Sequence, residues 1–421
     1  MYTFNIQLNR TRRINLTWLS ILSTLLISFS AFTLTIGVVH DNVSERYNFY
    51  DIEQNFHQLF PNIPIKFIGL PSAIYKPQVN EWLATETGPD VLFWHGGVRL
   101  MQFVRQGYVE NLDGLSEQYN WRKNFSATTL QTVSFHHSLF AIPISFYQWG
   151  IFYNKQTLKQ FDIEPPVNWQ DFLAACEVLK SNRLDPIALG SREPWILGAW
   201  FDYLNLRLNG LDFHQRLLRG EIPFTDKRVF KLFEYWTELV NKKYFLSGHQ
   251  RLNWSGAMPY LFRDLSAFTL IGNFFSIRIP DAIKQKIGFM PFPEIVSGNG
   301  GFEEAPMDVF FIRASSKNKA DARKFLGYLS KANVQTNYNK YAGGFPPNKT
   351  SKTADNVFNR AGLKLLQNAE GLSQFFDRDS VDDFSVPALI VLAEFMQKPD
   401  IEATVRKLEQ LRQTKLLDVQ P

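Results

Sequence analysis

The run Ile142–Lys155 (IPISFYQWGIFYNK) constrains this chain more than any other stretch. It is apolar and aromatic, is opened by Pro143 and ends in Asn154-Lys155 at the start of a helix-like segment, so the pattern predicts a buried strand. Its centre breaks that pattern. Tyr147, Gln148, Trp149 and Gly150 set a phenol, an amide, an indole and a glycine side by side. Tyr and Trp join a large apolar face to a polar handle, and glycine lets another segment approach closely. A strand of this kind predicts a chain passing between two domains through a cleft.

The rest of the chain is compatible with two domains. At 421 residues, with 45% hydrophobic and 20% charged residues, it is globular in composition and too long for one comfortable core. Aromatic residues reach 15%; most must be core, but exposed rings also suit the apolar C–H faces of sugars. The single cysteine, Cys176, excludes an internal disulfide and a multi-cysteine metal site. It falls in the helical pattern Phe172–Leu179 and reads as a buried thiol. The net charge of +5 falls to +2 without Arg10, Arg12 and Arg13, and no basic stripe points to nucleic acid. The glycine-rich loop Ser297–Gly301 lacks the lysine and the strand–loop–helix context of a phosphate cradle. No metal site and no cofactor are expected.

The N-terminus reads as an address. Three arginines precede Leu16–Val39, which carries no charged residue. Residues 1–41 are therefore expected to be a secretory signal, with small residues for cleavage at Ser28–Ala31, or an uncleaved signal anchor with its arginines in the cytoplasm. Either way the working part is expected to be exported, to the periplasm.

The segment P-x-S-x-Y-Q-W-G-x-x-Y-N-K (143–155), followed by Pro165, Pro166, Trp169 and Phe172, resembles the extracellular solute-binding proteins of sugar-type ABC importers, a maltose-binding-protein-like family. Further resemblances are G-P-D-V at 88–91, G-Y-V-E-N-L-D at 107–113, the run W-F-D-Y-L-N-L-R-x-N-G-L-D-F-H at 200–214, I-G-x-x-P-x-P at 287–293 and G-x-x-P-x-N at 343–348. The family implies an α/β, two-lobed periplasmic-binding-protein fold, each lobe an open sheet flanked by helices, with a hinge and a cleft between. Alternating helix and strand patterns from residue 46 onward imply the same class independently. On this resemblance residues 42–143 plus 308–342 form lobe 1, and 144–307 plus 343–421 form lobe 2.

Candidate ligand contacts follow. Trp94 and His95 close the strand pattern Asp90–Trp94, at the carboxyl end where open α/β sheets bind ligands. Tyr147, Gln148 and Trp149 lie on the crossing, and Trp195 ends the polar loop Ser191–Trp195. The family places a tryptophan near Asn273 to stack on sugar; its absence here leaves Asn273 or Phe274 as substitutes. Asp308, on the second crossing implied by the resemblance, would accept from sugar hydroxyls. Arg378 reads either as a ligand donor or as half of a surface ion pair. His136 and His137, with no third ligand at useful spacing, read as surface or capping residues.

The function implied is an exported receptor that captures a carbohydrate between its lobes and delivers it, as a monomer, to an ABC import permease. One alternative is a membrane-anchored sensory domain. Another is a glycosidase, which needs two carboxylates about 5–10 Å apart across a cleft. Glu303, Glu304 and Asp308 are the available carboxylates, but they cluster on one short segment. No enzyme activity is expected.

Overall fold

The computed structural model describes residues 33–40 and 43–417. Arg10, Arg12, Arg13 and the cleavage window Ser28–Ala31 lie outside them.

Lobe 1 is built on a five-stranded sheet in the order Ile65–Leu70, Leu34–Val39, Val91–His95, Met307–Ile312, Ile142–Phe146. The first three strands are parallel; Met307–Ile312 runs antiparallel to both of its neighbours. Four strands therefore point their carboxyl ends the same way, and Leu70, His95 and Phe146 mark that edge. Helices Val43–Leu59, Ser72–Ala84, Val98–Arg105, Lys319–Leu329 and Ala332–Ala342 are among those that cover the sheet.

One expectation is corrected here. The strand Leu34–Val39 lies second in the sheet, with Leu34 and Ile36 fully buried, although its hydropathy assigns it to the tail of the targeting segment. A strand buried on both faces is a continuous apolar run, so hydropathy alone cannot separate it from the apolar stretch before it. The fold begins by Leu34, inside the 1–41 boundary. Among the described residues, no helix is long and apolar enough to cross a membrane.

Lobe 2 centres on a three-stranded antiparallel sheet with Trp149–Asn154 between Phe268–Gly272 and Ile287–Met290. Gly150 is required there, because a Cβ would stand 2.7 Å from the Phe289 ring and 2.9 Å from the Met290 carbonyl. One face of this sheet packs on the main core, where Trp169, Trp200, Trp236, Phe292 and Phe395 interlock. A smaller cluster of Phe152, Ile271, Phe275 and Phe358 covers the other face. The long helix Trp195–Leu218 is kinked at Gly210 (φ 78°).

The chain passes between the two cores three times. The first passage falls between Ile144, in the lobe 1 core, and Tyr147, in the lobe 2 core. The second leads from the short strand Phe302–Glu304 into Met307–Ile312. The third lies later than the 342/343 boundary read from sequence. Asn348 bonds the Ser330 carbonyl and the Gln335 amide side chain, both at 2.9 Å, while Ser351 and Lys352 bond Ala332 and Thr336. Residues 348–352 are thus pinned to lobe 1, and the chain enters the lobe 2 packing by Phe358.

Candidate functional site

Two groups of side chains meet where the lobes face each other. The first is aromatic and belongs to lobe 2. Trp149, only 2% exposed, stacks on Phe375 with centroids 4.9 Å apart. It meets Trp195 and Phe274 edge-on at 6.2 and 5.9 Å. Phe274 in turn meets Trp254 at 5.3 Å and Tyr147 at 5.4 Å. Trp195, Phe274 and Trp254 keep part of their surface open. The result is a buried indole with a partly exposed aromatic rim, a surface suited to the C–H face of a flat, hydroxylated ring.

The second group is polar. Asp308 and His95 are direct partners in the antiparallel pairing of Met307–Ile312 with Val91–His95, and their side chains meet at 3.2 Å. Arg378 approaches the same Asp308 oxygen at 3.1 Å and donates to the Tyr147 hydroxyl at 2.8 Å. Burial pushes the Asp308 carboxyl up to about 6, against the pull of Arg378 and Lys76. Burial, reinforced by Arg378, Lys76 and Arg99, holds the His95 imidazole well below its usual range, so it is neutral at pH 7. A neutral ring donating from Nδ1 to Asp308 leaves Nε2 as an acceptor.

Six of the nine residues read from sequence thus come together: His95, Asp308, Arg378 and Tyr147 in the polar group, Trp149 and Trp195 in the aromatic one. Three are placed elsewhere. Trp94 is fully buried in the lobe 1 core, packed on Phe103 at 5.2 Å and beneath the Arg99 guanidinium at 4.8 Å. Both faces of its strand are covered, so alternation gave no warning. Gln148 is fully buried against Gly362, and among the described residues its amide finds no hydrogen-bond partner. Asn273 is also buried, donating to the Gly343 carbonyl at 2.9 Å and to Asn359 at 2.8 Å. It ties the loop after Phe268–Gly272 to the third passage instead of facing a cleft.

Sequence reasoning missed Phe375 and Trp254 as ring partners, and it missed an ion network beside Asp308. Asp377 accepts from Arg99 at 2.8 Å and from Lys76 at 3.1 Å, and Asp382 meets Arg99 at 2.5 Å. Burial alone would raise the Asp377 carboxyl. Lys76, Arg99 and Arg378 overcome it and hold the group far below the usual carboxylate range.

The carboxylates considered for catalysis do not face one another across a cleft. Glu303 is buried on Arg207 at 2.6 Å and on Tyr203 at 2.9 Å. Glu304 is fully buried too, and burial together with Asp202 raises its pKa well above the ordinary value. His136 and His137, both at positive φ, form the exposed tight turn between Ser134–Phe135 and Ser138–Leu139.

With this geometry in view, the relatives are informative. The model of the bacterial extracellular solute-binding protein family matches residues 44–336. An uncharacterized ABC transporter extracellular-binding protein of Pyrococcus horikoshii is 25% identical over 317 residues, 72% of this chain and 69% of that protein. The multiple sugar-binding protein of Streptococcus mutans is 25% identical over 303 residues, 68% of this chain and 69% of that protein. Among solved structures, the bacterial solute receptor AcbH, described as exclusive for β-D-galactopyranose, superimposes with a TM-score of 0.85 at 23% identity. That match covers 92% of this chain and 99% of AcbH. A chitin oligosaccharide binding protein gives 0.84 at 19% identity, over 92% and 100% of the two chains. These two share the two-lobed fold. The family model takes in the first two passages, the aromatic strand and Asp308, and the chain belongs to the bacterial extracellular solute-binding proteins.

Proposed function

We propose that this protein is an exported receptor that captures a carbohydrate between its lobes and presents it to an ABC import permease. One observation carries the reading: an aromatic rim of Trp195, Trp254 and Phe274 over Trp149 adjoins the Asp308–Arg378 pair at the lobe boundary. Stacked rings take up the apolar face of a pyranose, while a carboxylate and a guanidinium take its hydroxyls as acceptor and donor. Closing the lobes brings the two groups onto one ligand. Tyr147, on the first passage, is bonded to Arg378, so the hinge backbone and the polar group are linked.

The sugar-binding names of several relatives support the ligand class. The family supports export and a permease partner. A binding role without catalysis is supported by the burial of Glu303 and Glu304 inside lobe 2, against the helix Trp195–Leu218. No observation favours a sensory role over transport.

The test is calorimetric titration of the purified protein with D-galactose, N-acetylglucosamine oligomers, xylo-oligomers and malto-oligomers. Saturable binding of one class, with the sugar recovered unchanged, is the expected result. Binding to none of them, or hydrolysis of the bound sugar, refutes the proposal.

A further inference from the structure

The segment 374–382 is held on both sides of the lobe boundary. Towards lobe 2, the Phe376 N–H donates to Asp202 at 2.6 Å, Phe375 stacks on Trp149, and the hydroxyl of Ser373, on the strand paired with Phe302–Glu304, donates to Asp379 at 2.7 Å. Towards lobe 1, Asp377 holds Lys76 and Arg99, Asp382 holds Arg99, and the Asp382 N–H donates to Gln102 at 3.2 Å. The Arg378 carbonyl faces the start of the helix Val98–Arg105, 3.4 Å from the Arg99 nitrogen. Gly97, at φ 86°, makes room there, since a Cβ would stand 3.0 Å from that carbonyl. Arg99 and Asp377 are 2% and 7% exposed. These contacts are therefore deeper than ordinary surface ion pairs, which contribute little.

We infer that Asp377 and Asp382 set ligand affinity without touching ligand, as a clasp that draws Lys76 and Arg99 of lobe 1 onto lobe 2. The clasp biases the lobes towards the closed arrangement whatever lies between them. Apparent affinity scales with the fraction of molecules already in the binding-competent form, so residues outside the pocket tune it. Salt enters the same way. Separated lobes expose these charges to screening by counter-ions, whereas the closed form shields them. Added salt therefore shifts the balance towards opening, even for an uncharged ligand. The inference rests on the closing motion of the proposed function and is independent of which solute is carried.

Small-angle scattering of the full protein without ligand tests it directly. Wild type is compared with Asp377→Asn and Lys76→Met, each at about 20 and about 500 mM salt. Lys76 is a quarter exposed, so the second variant keeps the fold if the first does not. Near-ultraviolet circular dichroism is recorded for each protein as the check of intact packing. The expected wild-type result is a radius of gyration of about 22 Å at low salt that grows by about 1 Å at high salt. The variants are expected to show the larger value at both salt concentrations. Equal radii for all proteins and conditions, with packing intact, overturn the clasp. Because no sugar is present, a failure of the carbohydrate reading leaves this result standing, and a failure here leaves the choice of ligand to the calorimetric titration.

Discussion

Asp308 stands directly opposite His95 in the antiparallel pairing of their strands, with 3.2 Å between the carboxylate and Nδ1. The contact comes from neighbouring central strands of one sheet, so its geometry is set by backbone pairing and not by a mobile loop.

With Asp308 in the proposed site, binding is expected to depend on pH. Asp308 loses its proton near pH 6 in the folded protein, against about 4 in an unfolded chain. A carboxyl whose pKa is raised by folding adds stability below its unfolded pKa, and that contribution is lost as pH rises through about 6. Affinity is expected to move the opposite way, because the ionised form accepts most strongly from sugar hydroxyls. Titration calorimetry from pH 5 to 8 should show affinity rising through about 6. Asp308→Asn should flatten the profile and weaken binding by about 1.5–3 kcal/mol. A flat wild-type profile would remove Asp308 from the ligand.

The three tryptophans separate stability from binding. Trp149→Ala empties a fully packed site and is expected to cost about 3–5 kcal/mol in denaturant unfolding. Trp195→Ala, at the partly open rim, should lower stability much less while weakening sugar binding at least tenfold. Trp94→Phe should change stability only and leave affinity within twofold. A large affinity loss with Trp94→Phe would contradict its place in the lobe 1 core.

Asp202 and Glu304 form a buried carboxyl pair whose pKa values are raised by burial and, for Glu304, by the neighbouring Asp202 charge. Two such groups hold a proton between them more readily than two charges. Stability should therefore fall as pH rises towards 9, in urea unfolding measured across pH 5–9. Glu304→Gln removes one titrating member and should make that decline shallower. An equal slope in both proteins would refute the shared-proton account.

The start of the fold is open to a deletion test. A chain beginning at Asn42 lacks Leu34–Val39, which pairs with strands on both sides. It is expected to show no cooperative thermal transition, whereas a chain beginning at Thr33 should retain one. Cooperative unfolding of the shorter chain would place the fold's start after this strand.

How much of this was legible in the sequence depended on whether the signal was local. The aromatic passage could be read because Tyr147, Trp149 and the strand that carries them are contiguous. Asp308 and Arg378 could each be named, but their meeting could not, since they stand 70 positions apart in the chain. The clasp was invisible for the same reason. Lys76, Arg99, Asp377 and Asp382 are ordinary charged residues until topology gathers them. Trp94 and Leu34–Val39 misled in one shared way: strands covered on both faces show no alternation, so neither side-chain direction nor a boundary can be taken from their hydropathy.

The position of Met307–Ile312 in the lobe 1 sheet also bears on how the protein is made. It separates Val91–His95 from Ile142–Phe146, so the sheet cannot close until more than 300 residues have been synthesised. Lobe 2 likewise waits for Phe375–Leu416. Contacts this distant in sequence form slowly, and domains otherwise tend to fold as they leave the ribosome. Neither lobe can close on the N-terminal half of the chain alone, so both are completed only late in synthesis.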